Sequence, residues 1–305
     1  MSLPANGLKA VYITFMYCMF PAARRVIVIG DVHGDSDRLV NALQIARVLS
    51  PDLEWIAEPA DTVVVQLGDQ LDSANRDIRV PEWETHPDVH LMELMDNLDV
   101  KAKRHGGRVI SLIGNHEVMN MTGEFAYVSQ ASLAKSGGED GRRDAFMPSG
   151  KYNRMLMNRY IIVKIGTYLF CHAGLLPTHL NVVGENIQDF NDTFWTLGSG
   201  GKLTPRMREL LDCVIMPVNG ILWTRKYVEL VNQPSMLKTY LSIVLRTTKC
   251  TTMFIGHNTL ENIVIAGEGG LVFTDAAFSR SYGTSKYQFI DIIDGQMNVI
   301  QVAEN

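Results

Sequence analysis

Cysteine is scarce in this chain, with four among 305 residues at positions 18, 171, 213 and 250. Thiols so scattered give no disulfide framework, and two of them fall in apolar surroundings where a free cysteine behaves as a small hydrophobe. Positive charge is not in excess either. A formal net charge of −5 leaves no basic field to gather nucleic acid, so a nucleic-acid partner is not expected. The apolar run AVYITFMYCMFPAA at 10–23 is too short to cross a bilayer comfortably, so no membrane span is expected. Internal repeats and low-complexity tracts are missing as well. What is present, 46% apolar and 20% charged residues, is the composition of a soluble globular protein.

Five short polar clusters stand out: GDVHGD at 30–35, GDQLD at 68–72, GNHE at 114–117, CHAG at 171–174 and GHN at 256–258. Each follows an apolar run, respectively VIVI at 26–29, TVVVQL at 62–67, RVISLI at 108–113, TYLFC at 167–171 and TTMFI at 251–255. A short apolar run that ends in glycine plus a polar residue reads as a buried strand opening into a loop. In open α/β sheets such edges hold the sites. Asp31, His33, Asp69, Asn115, His172 and His257 are therefore candidate ligands delivered to one rim. Two divalent ions about 3.5–4 Å apart need a shared carboxylate and further oxygen and nitrogen donors, which this set contains. Hard oxygen and imidazole donors without thiolate suit manganese, iron or zinc, with manganese favoured. Cys171, beside His172, points to the opposite face of its strand and does not ligate.

These clusters resemble the calcineurin-like metallophosphoesterases of the phosphoprotein phosphatase superfamily. Within it, the segments GNHEVMNMTGEFAYVS at 114–129, GRRDAFMPSGKYNRML at 141–156, GILWTRKY at 220–227 and TDAAFSRSYG at 274–283 resemble the Shewanella-like protein phosphatases in order and spacing. The resemblance implies one metal on Asp31, His33 and Asp69 and a second on Asp69, Asn115, His172 and His257, with Asp69 bridging. It implies direct attack of a metal-bridging hydroxide on phosphorus, with His116 as general acid, Asp72 orienting it, and Arg225 gripping the phosphate. Tyr282 stands in a loop that resembles the family's segment near the phosphate. Relatives usually read GDxxDRG in the second cluster, whereas here Ser73 takes the arginine's place, and Arg76 is the candidate substitute. The activity implied is hydrolysis of phospho-Ser, phospho-Thr or phospho-Tyr in a phosphoprotein or phosphopeptide; regulatory partners are not named by the sequence. Hydrolysis of a dinucleoside polyphosphate or another small phosphoester is the alternative within enzymes. A catalytically weak metal-bound binding module is the alternative outside them.

Other features take plainer readings. His86, His90, His105 and His179 lack a glycine-bounded strand end and read as surface or helix residues. Asp35 and Asp37 read as caps of the helix that follows. Gly137, Gly138 and Gly141, with Glu139, Asp140, Arg142 and Arg143, read as a charged loop.

Helical spacing of apolar residues occurs at 36–49, 90–105, 203–213 and 234–246. Runs at 260–266, 270–274, 287–293 and 296–302 predict an antiparallel meander. The expected fold is α/β, a four-layer sandwich of two facing mixed β-sheets flanked by helices, as the resemblance also implies. Because the ligands extend from Asp31 to His257, one catalytic domain over 25–305 is expected, preceded by an extension at 1–24. The extension is an extra strand or docked arm, a stretch ahead of a start at Met16 or Met19, or a targeting segment. The location expected is cytoplasmic, with secretion or anchoring through residues 1–24 as the alternative.

Overall fold

Apolar runs become strands where the sequence predicts them, and their alternation decides which face each residue buries. The computed structural model describes residues 17–73, 84 and 86–304. The strands are β1 (Met19–Phe20), β2 (Arg25–Ile29), β3 (Val63–Gln66), β4 (Arg108–Ser111), β5 (Ile162–Ile165), β6 (Tyr168–Cys171), β7 (Thr252–Ile255), β8 (Val264–Ala266), β9 (Leu271–Phe273), β10 (Lys286–Ile293) and β11 (Gln296–Ala303). The helices are α1 (Ser36–Ile45), α2 (Val89–Arg104), α3 (Asn115–Thr122), α4 (Gln130–Lys135), α5 (Gly138–Phe146), α6 (Lys151–Leu156), α7 (Pro177–Val183), α8 (Gln188–Gly198), α9 (Pro205–Ile215), α10 (Lys226–Val231) and α11 (Pro234–Thr248).

Two mixed sheets result, ordered β11-β10-β2-β3-β4 and β1-β5-β6-β7-β9-β8. In the first, β2, β3 and β4 run parallel; in the second, β6, β7 and β9 do. Val26, Val28, Val63, Val65 and Ile110 share one core with Leu169, Cys171, Met253 and Ile255 of the other sheet. Their neighbours Ile27, Ile29, Val64 and Val109 instead join Leu39 and Leu43 of α1 and Leu91, Met95 and Leu98 of α2. Strands buried on both faces read as unbroken apolar runs, which is why these were visible in the sequence. Full burial of each such side chain contributes about 1.5–3 kcal/mol, against about 0–1 kcal/mol for an exposed ion pair. The shared face of the sheets therefore holds the fold, and helices cover the outside, as expected.

Four expectations need correction or completion. The C-terminal runs do not make one meander. β8 and β9 form a hairpin in one sheet, and β10 and β11 form a hairpin in the other, where β10 pairs antiparallel with β2. Residues 138–146 are the helix α5 rather than a loop; burial of Arg142 supplies a tertiary contact that outweighs weak local propensity. The helix over 36–49 stops at Ile45, and Arg47 turns left-handed at φ 53°. Only the last part of the apolar run at 10–23 falls among the described residues, where Met19 and Phe20 pair with Lys164 and Ile165 of β5 as an edge strand. Arg76 lies outside the described residues. Among those described, no helix is long and apolar enough to cross a membrane.

Candidate metal centre

The ends of β2, β3, β4, β6 and β7 meet where the two sheets abut, and each contributes a polar residue to one cluster, with Asp31, Asp69, Asn115 and His257 on a cavity floor and His172 beneath them against Asp69 and Asn115. Asp31 follows β2, Asp69 follows β3, Asn115 opens α3 after β4, His172 follows β6 and His257 follows β7. All are buried, with exposures between 0% and 8%. His33, Asp69, Asp72 and His257 adopt left-handed backbone at φ 43°, 51°, 68° and 60°. Non-glycine residues hold that conformation only where surrounding contacts impose it. Close approach also explains two glycines. A Cβ on Gly114 would lie 2.1 Å from Asp69 Oδ1, and one on Gly256 would lie 2.2 Å from Asp31 Oδ1.

Asp69 is the hub. Its Oδ2 lies 3.9 Å from His33 Nε2, 3.9 Å from His116 Nε2 and 3.4 Å from His172 Nε2. Two groups of donors converge to within 4.8 Å, His33 with Asp69 and His116, and Asp69 with His172 and His257. The first group differs from the expected set, since it draws in His116, while Asp31 stands beside it at 4.0 Å from His33 Nε2. Asp31 also accepts the His257 backbone N–H at 3.1 and 3.0 Å, which ties one sheet's ligand loop to the other's.

Each imidazole spends one nitrogen on the backbone. His33 Nδ1 donates to the Leu71 carbonyl at 3.0 Å, His172 Nδ1 to that of Leu67 at 2.8 Å, and His257 Nε2 to that of Trp223 at 3.1 Å. The remaining nitrogen of each is thereby turned toward the centre, as metal-ligating histidines require. Burial, followed by the charge of His172, pushes His257 down to about 3, so its imidazole is neutral. Its Nδ1 lies 2.9 Å from Asn115 Oδ1, which His172 Nε2 also meets at 3.0 Å, so three donor atoms converge there.

The electrostatics point the same way. Burial, then the charges of Asp275 and Asp69, push the Asp31 carboxyl well above the usual range. For Asp69 burial acts upward, but the neighbouring His172, His116 and His33 outweigh it and hold the carboxyl well below the usual range. Burial likewise opposes the charge on His172, yet Asp69 and Asp31 raise it to about 10. Two carboxylates thus trap a proton where a cation belongs, and the donor set fits divalent ions. Cys171 is buried and its thiol is pushed up to about 12 by burial, so it stays protonated and apart from the donors.

His116 sits beside this floor with Nδ1 2.7 Å from Asp72 Oδ2. Arg225 is exposed at the mouth, where Nη1 donates to the His257 carbonyl at 3.4 Å. Tyr282 packs edge-on to His33 with ring centroids 5.8 Å apart, and Tyr127 packs edge-on to His116 at 5.1 Å. These residues line a cavity of about 350 Å³ together with Asp31, Asp69, Asn115, Met119, Trp223 and Thr259. Ser73 turns away, its Oγ donating to Glu84 at 3.3 Å.

Sequence reading overlooks several supporting residues. Glu117, fully buried, accepts the backbone N–H groups of Gly114, Asp69, Gln70 and Leu71 at 2.7, 2.9, 2.8 and 3.3 Å. The spacing Gly114-x-x-Glu117 at a helix start is the capping pattern that signals it. Asn120, Asp88 and Arg142, behind Asp72, carry no comparable local signal. Asp35 caps α1 as expected, accepting Arg38 N–H at 3.2 Å, and also receives Arg280.

Comparison with known proteins gives consistent findings. The calcineurin-like phosphoesterase family profile matches residues 24–237. Shewanella-like protein phosphatase 2 of Arabidopsis thaliana is 25% identical over 254 residues, covering 69% of this chain and 60% of that protein. Shewanella-like protein phosphatase 1 of Plasmodium berghei is 29% identical over 170 residues, covering 55% of this chain and 42% of that protein. The chain thus spans about three fifths or less of these two relatives. The crystal structure of a cold-active protein-tyrosine phosphatase from a psychrophilic Shewanella species superposes with a TM-score of 0.78 at 20% identity, covering 100% of this chain and 87% of that one.

Proposed function

The chain belongs to the calcineurin-like phosphoesterase family, and from that premise we propose that it is a metal-dependent phosphoprotein phosphatase acting on phosphomonoesters of Ser, Thr or Tyr. The observation that carries this reading is the meeting, in one cavity, of a buried donor set, a carboxylate-oriented imidazole and an exposed guanidinium. Names of the two relatives, both protein phosphatases, support the substrate class.

Asp31, His33 and Asp69 would hold one ion and Asn115, His172 and His257 a second, with Asp69 shared between them. Bound divalent ions supply Lewis acidity toward phosphoryl oxygens and activate water near neutral pH. The remaining chemistry belongs to the chain. Asp72 orients the His116 ring by accepting a hydrogen bond from Nδ1–H, which leaves the Nε2–H of the imidazolium aimed into the cavity to give its proton to the leaving oxygen. Arg225 presents paired donors to the phosphate. Tyr282 lines the wall beside His33. Arg76 remains a candidate second phosphate contact, to be judged by kinetics of Arg76→Ala.

The test is hydrolysis of phenyl phosphate, whose leaving oxygen needs a proton, by chelated protein with manganese added back, for the native chain and His116→Asn. Restored activity in the native chain, and a loss of about 100-fold or more in the variant, is the expected result. A native chain inactive toward this ester and toward phosphopeptides under manganese, iron or zinc would sink the reading. Cleavage of dinucleoside polyphosphates but not phosphopeptides would replace it with the small-phosphoester alternative.

A further inference from the structure

The buried network behind His116 contains a cation that the proposed chemistry does not use. Arg142 is fully buried on α5, while its charged neighbours Glu139, Asp140, Arg143 and Asp144 are exposed. Its Nη1 and Nη2 donate to Asp88 Oδ1 and Oδ2 at 2.9 and 2.7 Å, and its Nε donates to Asn120 Oδ1 at 2.6 Å. Nη2 also lies 3.5 Å from Asp72 Oδ1. Asn120 Nδ2 donates to that same Asp72 oxygen at 2.9 Å, and Asp88 Oδ2 accepts the Asp72 backbone N–H at 3.0 Å. Arg142 thus reaches Asp72 by three routes: directly, through Asn120 and through Asp88. The other Asp72 oxygen is the one that meets His116.

Two fully buried carboxylates in one network are tolerable only with fixed cations beside them. A guanidinium is always charged, and its planar fork can serve Asp88 with two donors while a third engages Asn120. An ammonium supplies the charge without that geometry. We propose that Arg142 is a positioning residue, which fixes the Asp72 carboxylate and, through it, the His116 ring in the orientation for proton transfer. This rests on the phosphatase reading above. In the step concerned, the oxygen of water bonds to phosphorus and the ester P–O bond breaks, its electron pair passing to the ester oxygen. His116 Nε2 delivers a proton to that oxygen. The proton released by the attacking water passes to solvent, and exchange restores the imidazolium.

Leaving-group dependence separates this role from general support of the fold. p-Nitrophenolate departs without a proton, whereas phenolate needs one. Arg142→Lys and Asn120→Ala, supplied with manganese, are compared with the native chain on both aryl phosphates. The expected result is a fall in kcat of about tenfold or more on phenyl phosphate and of less than about twofold on p-nitrophenyl phosphate, with KM unchanged for both. Equal losses on the two esters, or a change confined to KM, would overturn the assignment. Should Arg142→Lys fail to fold, Asn120→Ala decides by the same ratio, because it disturbs Asp72 without removing a buried charge. A native chain inactive on both esters would instead overturn the phosphatase reading, and the role of Arg142 with it.

Discussion

At the scale of single residues, Glu117 shows how a side chain that touches no substrate determines where ligands stand. Its two oxygens gather four backbone N–H groups from the loops that carry Asp69 and Asn115. Hydrogen bonds to a charged group contribute about 1.5–3 kcal/mol each, and a buried donor left without a partner costs a similar amount. Glu117→Gln turns an amide NH₂ toward two of these donors. It is expected to lower stability by about 3 kcal/mol and to weaken metal binding, read from the denaturant midpoint and from metal titration. An unchanged midpoint would mean that the loops hold their shape without this carboxylate. Glu117 was present in the GNHE cluster, but the sequence there advertises the candidate ligand Asn115 and its neighbour His116 and hides the residue that braces their loop. Its local spacing signals only Gly114; the other three partners, Asp69, Gln70 and Leu71, belong to a loop 46–48 residues away, and no local pattern records that meeting.

At the scale of elements, strands end where glycine lets the backbone turn, and so five candidate ligand positions were legible from apolar runs alone. Helix α5 was not legible, because its charged surface dominates its composition and, of its two buried side chains, Phe146 lies at its last residue while Arg142 finds Asp88 54 residues away. Helix α7 offers a second case. His179 reads as a surface or helix residue, and it is on the helix but only 4% exposed. Its Nδ1 accepts the Leu176 N–H at 3.0 Å, and its Nε2 donates to the Asn219 carbonyl at 2.7 Å. Burial pushes its pKa down to about 4. Because the folded value lies below the unfolded one of about 6.5, the neutral imidazole's contribution is fully present above that pH and is lost as pH falls toward 4. His179→Gln is therefore expected to flatten the acid limb of the stability profile between about pH 6.5 and 4, measured by thermal melting across that range. A limb of unchanged slope would assign acid sensitivity to other groups.

At the scale of the whole molecule, the donor set joins two sheets that otherwise meet through apolar packing. Asp31, Asp69 and Asp275 crowd together in a buried space, and the repulsion that pushes the Asp31 carboxyl up is what a bound cation would relieve. Chelation is expected to lower the melting temperature, and manganese at a hundredfold excess over its dissociation constant is expected to restore about 2.7 kcal/mol. A melting temperature indifferent to both treatments would show that these donors hold no ion. The contact between Asp31 and the His257 backbone joins residues 226 positions apart. At a synthesis rate of about 5–20 residues per second, roughly 10–45 s separate the appearance of the first ligand from that of the last. Throughout that interval Asp31, His33 and Asp69 exist without His172 and His257, the later imidazoles of the donor set. The complete donor set is consequently a property of a nearly finished chain, since its last imidazole is made 226 residues after its first carboxylate.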